Sequence, residues 1–163
     1  MTRQFTIRKA EPADRDALSD LCMRSKQSNG YDDAFMALCA DELRVRDSWI
    51  EDDDFWLAEG PDGKPVGCIR LSTGADRVSG ELETCFVDPQ WQGKRVGQGL
   101  FDVLLKRARE LQLTRIGLDA DPFAEPFYAR MGFQTTGRAP SGSIPGRTLP
   151  RMELILDAGY AGT

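Results

Sequence analysis

The chain contains no histidine among its 163 residues. That absence removes the side chain that most often acts as a general base near neutral pH, and the commonest nitrogen ligand for metals. Cysteine is sparse. Cys22, Cys39, Cys68 and Cys85 are dispersed and form no Cys-x-x-Cys pair, which argues against a zinc site, and no metal is expected. Positive charge is not in excess: 21 basic residues stand against 26 acidic ones, a net charge of −5. This argues against nucleic acid or an anionic membrane as a partner and suits a cationic one. No apolar run approaches the ~20 residues of a membrane span. The charged, alternating opening Met1–Arg8 does not read as a secretory leader. Dispersed cysteines without a leader fit reduced thiols, so a cytoplasmic location is expected.

What is present reads as one ordinary globular domain over residues 1–163, with 40% apolar and 29% charged residues and enough chain for a substantial core. Phe5 and Ile7 alternate with polar neighbours, which predicts a strand over 4–9. Pro12 suits a first helical turn, and Ala17, Leu18, Leu21 and Cys22 then form an apolar stripe to about Ser25. Asn29-Gly30 ends it. Asp33 is the expected cap of a second helix carrying Phe35, Met36, Cys39 and Leu43. The acidic run Glu51–Asp54 reads as a solvated turn, with a lure for a cationic partner as the alternative. Two strands, 54–59 and 66–71, flank the turn Pro61-Asp62-Gly63-Lys64 and predict a hairpin. Further expected elements are a strand from Gly80 to Val87, a helix over 97–111, strands at 116–120, 133–136 and 152–156, and a short helix over 122–130. The predicted order is β-α-α-β-β-β-α-β-α-β-β.

The stretch VDPQWQGKRVGQGL, Val87–Leu100, carries the most information. A strand is stopped by Asp88-Pro89, a basic turn studded with glycines follows, and a helix begins near Gly97. The first N–H groups of a helix have no intrahelical acceptor and its dipole favours an anion there. Glycine lets backbone N–H groups approach phosphate oxygens, and Lys94 and Arg95 add charge. The segment reads as a diphosphate cradle. It is neither G-x-G-x-x-G nor G-x-x-x-x-G-K-[ST], the signatures of dinucleotide folds and P-loops.

It resembles instead the acetyl-CoA pyrophosphate loop of the GNAT superfamily of N-acetyltransferases, whose pattern is Gln/Arg-x-x-Gly-x-Gly/Ala after a strand ending in Val-x-Pro. Here it reads Gln92-Gly93-Lys94-Arg95-Val96-Gly97, after Val87-Asp88-Pro89. Arg95 stands where the family usually has its first motif glycine. A second match follows in LDADPFAEPFYARMGF, 118–133, which is similar to the family's fifth strand and short helix, usually Asn-x-x-Ala-x-x-x-Tyr ending in Gly-Phe. Asp121, Ala124, Tyr128 and Gly132-Phe133 fall at those positions, with Asp121 in place of Asn. The segment PSGSIPGRTLP, 140–150, looks like one subset of the family whose substrate is unassigned.

The resemblance implies an α/β fold of the GNAT type: a mixed central sheet splayed after its fourth strand, with helices on both faces. It implies acetyl-CoA as co-substrate and a small-molecule or peptide amine as acceptor, with direct transfer in a ternary complex. The implied cofactor contacts are the backbone of Cys85, Phe86 and Val87, the loop Gln92, Gly93, Lys94, Arg95, Val96, Gly97, Gln98 and Gly99, and Asp121, Ala124, Phe127 and Tyr128. Tyr128 is the implied acid for the leaving thiolate, against a role as a packed aromatic beside Phe127. In an alternating strand Glu81, Glu83, Cys85 and Val87 share one face. Glu81, four residues before Cys85, is the first candidate base and Glu83 the second, with water as the third option. Tyr31 and Arg147 are candidates for lining the acceptor site. Trp91 and Cys85 read as packing residues. Rival readings are a transferase for a longer acyl-CoA and a non-catalytic CoA-binding sensor or scaffold. A homodimer is compatible with the sequence.

Overall fold

The computed structural model describes residues 4–156. In chain order they form β1 (Thr6–Lys9), α1 (Arg15–Gln27), α2 (Asp33–Leu43), α3 (Asp47–Asp52), β2 (Asp54–Glu59), β3 (Pro65–Thr73), β4 (Ser79–Val87), α4 (Val96–Glu110), β5 (Arg115–Asp119), α5 (Glu125–Arg130), β6 (Gln134–Pro140) and β7 (Thr148–Ile155). Single 3-10 turns at Pro12–Asp14 and Pro89–Trp91 precede α1 and follow β4. The seven strands make one mixed sheet in the order β1-β2-β3-β4-β5-β7-β6. No helix among the described residues is long and apolar enough to cross a membrane.

Two compact units divide the chain. Among the described residues, one takes 4–71 together with Thr84–Leu104; the other takes Ser72–Glu83 and 105–156. In the first unit, β1, β2 and β3 are successive antiparallel neighbours. Phe55, Trp56, Leu57 and Ala58 are all buried, as are Val66, Cys68, Ile69 and Leu71. Such continuous burial means that both sheet faces are covered. Neighbouring residues of β3 show by what. A Cβ on Gly67 would lie 2.6 Å from Val96 Cγ1 and 3.1 Å from Leu100 Cδ1, so that face meets α4. Cys68 points the other way, its Sγ 4.0 Å from Cys22 Sγ on α1. Alternation along one strand thus puts helices on opposite faces. On the α1 face Leu18, Leu21 and Cys22 fall one helical turn apart and pack with Val45, Phe55, Leu57 and Cys68.

In the second unit β5 and β7, and β7 and β6, pair antiparallel. The parallel β4–β5 ladder is short: Ser79↔Arg115, Gly80↔Ile116 and Glu81↔Gly117. β4 continues for six residues past Glu81. Its ladder with β5 does not continue with it.

Two expectations need correction. The cap of α2 is Asp32, whose carboxylate accepts from Phe35 N at 2.8 Å; Asp33 is already helical. The Glu51–Asp54 run is not a solvated turn. Glu51 and Asp52 close α3, an element the residue pattern did not announce, and Asp54 opens β2 and pairs with Lys9 at 3.1 Å. Asp53, between them, meets the buried Arg70 at 2.7 Å, with side chains only 7% (Arg70) and 20% (Asp53) exposed. Arg70 Nε also donates to Thr84 Oγ1 at 3.1 Å, and its guanidinium lies 3.8 Å from the Trp49 ring centre. Strand and helix boundaries otherwise move by a few residues, most at the last hairpin, where β6 runs to Pro140 and β7 starts at Thr148.

Removing one partner of a buried ion pair strands the other charge. Asp53→Ala is therefore expected to lower the unfolding free energy by about 2–3 kcal/mol, discounted for the partial exposure of Asp53, while Arg70→Met combined with Asp53→Leu recovers much of that loss. Urea denaturation of the three proteins measures both.

Candidate functional site

The segment after β4 is anchored at its root from two directions. Asp88 N donates to Val66 O at 2.8 Å, tying it to β3. Arg24 on α1 pairs with Asp88 Oδ2 at 2.7 Å, and Ser25 Oγ donates to Val87 O at 2.8 Å. Asp88 Oδ1 accepts from Gln90 N at 2.9 Å, which nucleates the 3-10 turn. Beyond it the chain turns sharply. Gly93 has φ 76° and Arg95 has φ 66°. Nothing lies within 4 Å of a Cβ built on Gly93, so backbone conformation, not space, is what calls for glycine there. Arg95 adopts the same left-handed conformation with a side chain, at the position where the family resemblance expects glycine.

α4 then begins at Val96, and Gly99 N donates to Arg95 O at 3.0 Å. The amides of Val96, Gly97 and Gln98 fall in the first turn, where a helix offers them no carbonyl. Val96, Gly97 and Gly99 are buried, while Gln92–Arg95 are exposed. Lys94 Nζ sits 5.3 Å from the Trp91 ring centre, and Gln98 Nε2 donates to Asp102 Oδ1 at 2.8 Å. No carboxylate occurs between Pro89 and Gly99. Two cations, a left-handed turn and a helix start without a nearby acid make an arrangement that fits a diphosphate. Cys85, Phe86 and Val87 are half-buried. Phe86 packs on the α1-side core, and the Val87 carbonyl accepts from Ser25 and, at 3.4 Å, from Gln92.

The second unit holds the other expected residues. Asp121 does local work: its Oδ1 accepts from Phe123 N at 3.0 Å, and its carbonyl accepts from Ala124 N at 2.8 Å. That turn launches α5. Tyr128 is 7% exposed and lies edge-on to Phe127 and Phe133, with ring centres 5.3 and 5.8 Å away. Glu83 is exposed. Glu81 is not: both its oxygens are taken by Arg151, Nη1 to Oε2 at 2.5 Å and Nη2 to Oε1 at 2.9 Å. Arg151 Nη1 also reaches Asp119 Oδ1 at 3.1 Å. Glu81, then Asp119, raise the pKa of the Arg151 guanidinium, so it is a permanent cation.

The two acceptor candidates have local roles in the structure. Tyr31 stacks on Phe35 with ring centres 4.1 Å apart, and Lys26 Nζ lies 5.4 Å from its centre. Arg147 closes the turn between β6 and β7, its carbonyl accepting from Ser141 N at 2.7 Å. Sequence reasoning did not find Arg24, Arg70, Asp119 or Arg151. Of these, Arg70 carried the most readable signal, as the lone charge in the apolar strand pattern Val66–Leu71.

A side chain in the left-handed region costs about 1–2 kcal/mol relative to glycine. Arg95→Gly is expected to stabilise the fold by roughly 0.5–1 kcal/mol, after the extra unfolded-state freedom of glycine is counted. Arg95→Val, β-branched, should destabilise it. Urea midpoints of the two variants against wild type decide.

The model of the acetyltransferase (GNAT) family matches residues 17–133. The amino-acid acetyltransferase of Mycobacterium tuberculosis is 43% identical over 82 residues, which is 49% of this chain and 45% of the relative. This chain thus spans under half of that relative's length. The peptidyl-lysine N-acetyltransferase YjaB of Escherichia coli is 29% identical over 115 residues, 71% of this chain and 69% of the relative. Among solved structures, the PaiA N-acetyltransferase of Thermoplasma acidophilum in complex with coenzyme A superposes with a TM-score of 0.77 at 20% identity, covering 93% of this chain and 99% of that one. At that identity the likeness shows the fold.

Proposed function

The chain belongs to the acetyltransferase (GNAT) family, and on that premise we propose that it is an N-acetyltransferase moving the acetyl group of acetyl-CoA to a primary amine by direct transfer in a ternary complex. The observation that carries this reading is the left-handed pair Gly93 and Arg95 immediately before the first turn of α4. A helix start favours an anion, and here Lys94 and Arg95 stand beside it with no acid in the segment, which supports the reading. Bound acetyl-CoA supplies an activated thioester. Gln92–Gly99 would hold its diphosphate, and the backbone of Cys85 and Phe86 would receive its arm.

The chain's own residues then need to move two protons. Tyr128, a buried phenol, gives a proton to the leaving thiolate. The acceptor, arriving as an ammonium, must lose one proton to a base before it attacks and a second as the amide forms, and the second restores the phenol. Glu81 is poorly suited, because both carboxylate oxygens already accept from Arg151. Glu83, exposed and on the same strand, serves as base in this reading. With a net charge of −5, the chain favours approach of a cationic amine. A free amino acid is the first acceptor class to test, since the Mycobacterium relative carries that activity in its name. The lysine side chain of a peptide is the second, by the same reasoning from the Escherichia relative.

Acetyl-CoA at a hundred times its dissociation constant is expected to stabilise the fold by ~2.7 kcal/mol, with free pantetheine doing less at equal concentration. Thermal shift in the presence of each ligand measures this, and equal shifts would remove the diphosphate from the argument. Gly97→Val should abolish the acetyl-CoA shift, since a branched side chain intrudes at the helix start.

Tyr128→Phe removes one hydroxyl and should lower turnover ~10²–10⁴-fold with acetyl-CoA affinity kept. Thiol release with amino acids and lysine peptides as separate arms provides the assay. Glu83→Gln should flatten the acidic limb of the pH–rate profile, and Glu81→Gln should leave its shape intact. The reverse pattern returns the base to Glu81; full activity in both assigns it to water.

A further inference from the structure

β4 and β7 are not neighbours in the sheet, because β5 lies between them. Adjacent strands are about 4.8 Å apart, so a β7 side chain must cross roughly 9–10 Å to reach β4. Arg151 does so. From β7, where it pairs in register with Asp119, it extends over β5 to the Glu81 carboxylate on β4. It passes above Gly117. A Cβ there would collide with Arg151 Nη2 and lie 2.8 Å from its Cζ and 3.1 Å from Glu81 Oε1. Glycine at this one strand position is what opens the path. The end point is also particular. Glu81↔Gly117 is the last pair of the β4–β5 ladder, and β4 runs on to Val87 without it. Three strands are therefore held by one guanidinium at the residue where the ladder ends.

We propose that Arg151 is a positioning residue of this acetyltransferase: by crossing Gly117 to hold Glu81 and Asp119, it fixes where β4 stops pairing with β5 and so presets the β4 backbone that receives the acetyl-CoA arm. The inference rests on the acetyl-CoA reading above. Arginine suits the task because its planar fork grips a carboxylate through two parallel bonds, which lysine cannot reproduce. Preset backbone binds a ligand without an ordering cost, so loosening the strap should weaken binding even where the fold survives.

The test uses the full chain as wild type, Arg151→Met, Arg151→Lys and Gly117→Ala. Amide hydrogen exchange is read by residue and acetyl-CoA affinity by titration calorimetry. In Arg151→Met, exchange at 80–82 and 116–118 should quicken by about tenfold or more while α4 keeps its protection. The acetyl-CoA dissociation constant should rise by about tenfold. Gly117→Ala keeps every charge and displaces the guanidinium, so it should reproduce both effects even if Arg151→Met fails to fold. Arg151→Lys should fall between wild type and Arg151→Met. Wild-type affinity in Gly117→Ala and Arg151→Lys overturns the proposal while leaving the cofactor reading intact, as does a uniform rise in exchange across all amides. Failure of wild type itself to bind acetyl-CoA overturns the cofactor reading and this one together.

Discussion

A guanidinium buried in a sheet has to be answered where it stands, and the answer to Arg70 organises much of the first unit. Its side chain is 7% exposed. Leaving such a charge without partners costs several kcal/mol, so the chain supplies an anion, a hydroxyl and an aromatic face at once. Asp53 provides the first at 2.7 Å, Thr84 the second at 3.1 Å, and Trp49 the third at 3.8 Å. These come from the end of α3, from β4, and from within α3. The short helix α3 has six residues, far too few to hold by propensity alone. What fixes it is its role as a carrier of Trp49, which packs on the α1-side core and beneath the guanidinium. The net stabilisation from such a cluster is small, but its geometry is strict, and strictness is what aligns β3, β4 and the chain entering β2.

The second unit uses a guanidinium differently. Arg151 is about a third exposed and its anions likewise, with side-chain exposures of 32% (Arg151), 29% (Glu81) and 41% (Asp119). Water screens these pairs, so their energy is modest compared with the Arg70 cluster. Their value is positional. A bidentate bond from β7 to β4 and a second bond to β5 define one relative placement of three strands, and Gly117 makes that placement sterically open. It also changes the chemistry of Glu81. A carboxylate with both oxygens accepting from a permanent cation is a counter-ion, and strand alternation alone cannot reveal that. Glu81 and Glu83 are equivalent by period; only the residue standing across β5 distinguishes them.

This explains which parts of the molecule the amino-acid sequence disclosed. Periodicity found α1, α2 and α4, because their buried residues repeat at helical spacing on one face. Turn chemistry found the β2–β3 hairpin, where Gly63 has φ 81°. The turn before α4 was readable because its signal is local: a stop, a basic turn and a helix start within about a dozen residues. α3 was hidden because its reason to exist is a buried charge on a strand some twenty residues further on. The Glu51–Asp54 run shows the same limit. Glu51 and Asp52 stay exposed at the end of α3 while Asp53 and Asp54 enter separate ion pairs, and composition treats all four as one solvated patch. Arg24 with Asp88 and Arg151 with Glu81 are 64 and 70 residues apart, and nothing local in the chain joins them.

The loop before α4 combines both kinds of information. Arg95 departs from the glycine that the family pattern favours, yet its backbone keeps the conformation glycine would take, with φ 66°. The conformation is therefore imposed by the surroundings and not by the residue. Those surroundings are identifiable. Upstream, Asp88 is fixed to β3 by its amide and to α1 by Arg24. Downstream, Val96 is buried against the open face of Gly67, and Gly99 closes the first turn onto Arg95. With both ends held, the few residues between must reverse direction in little space, and a left-handed residue before the helix is the available solution. A strained residue persists only where the fold over-determines it. Here the strained residue is a cation that stands directly before the first turn of α4.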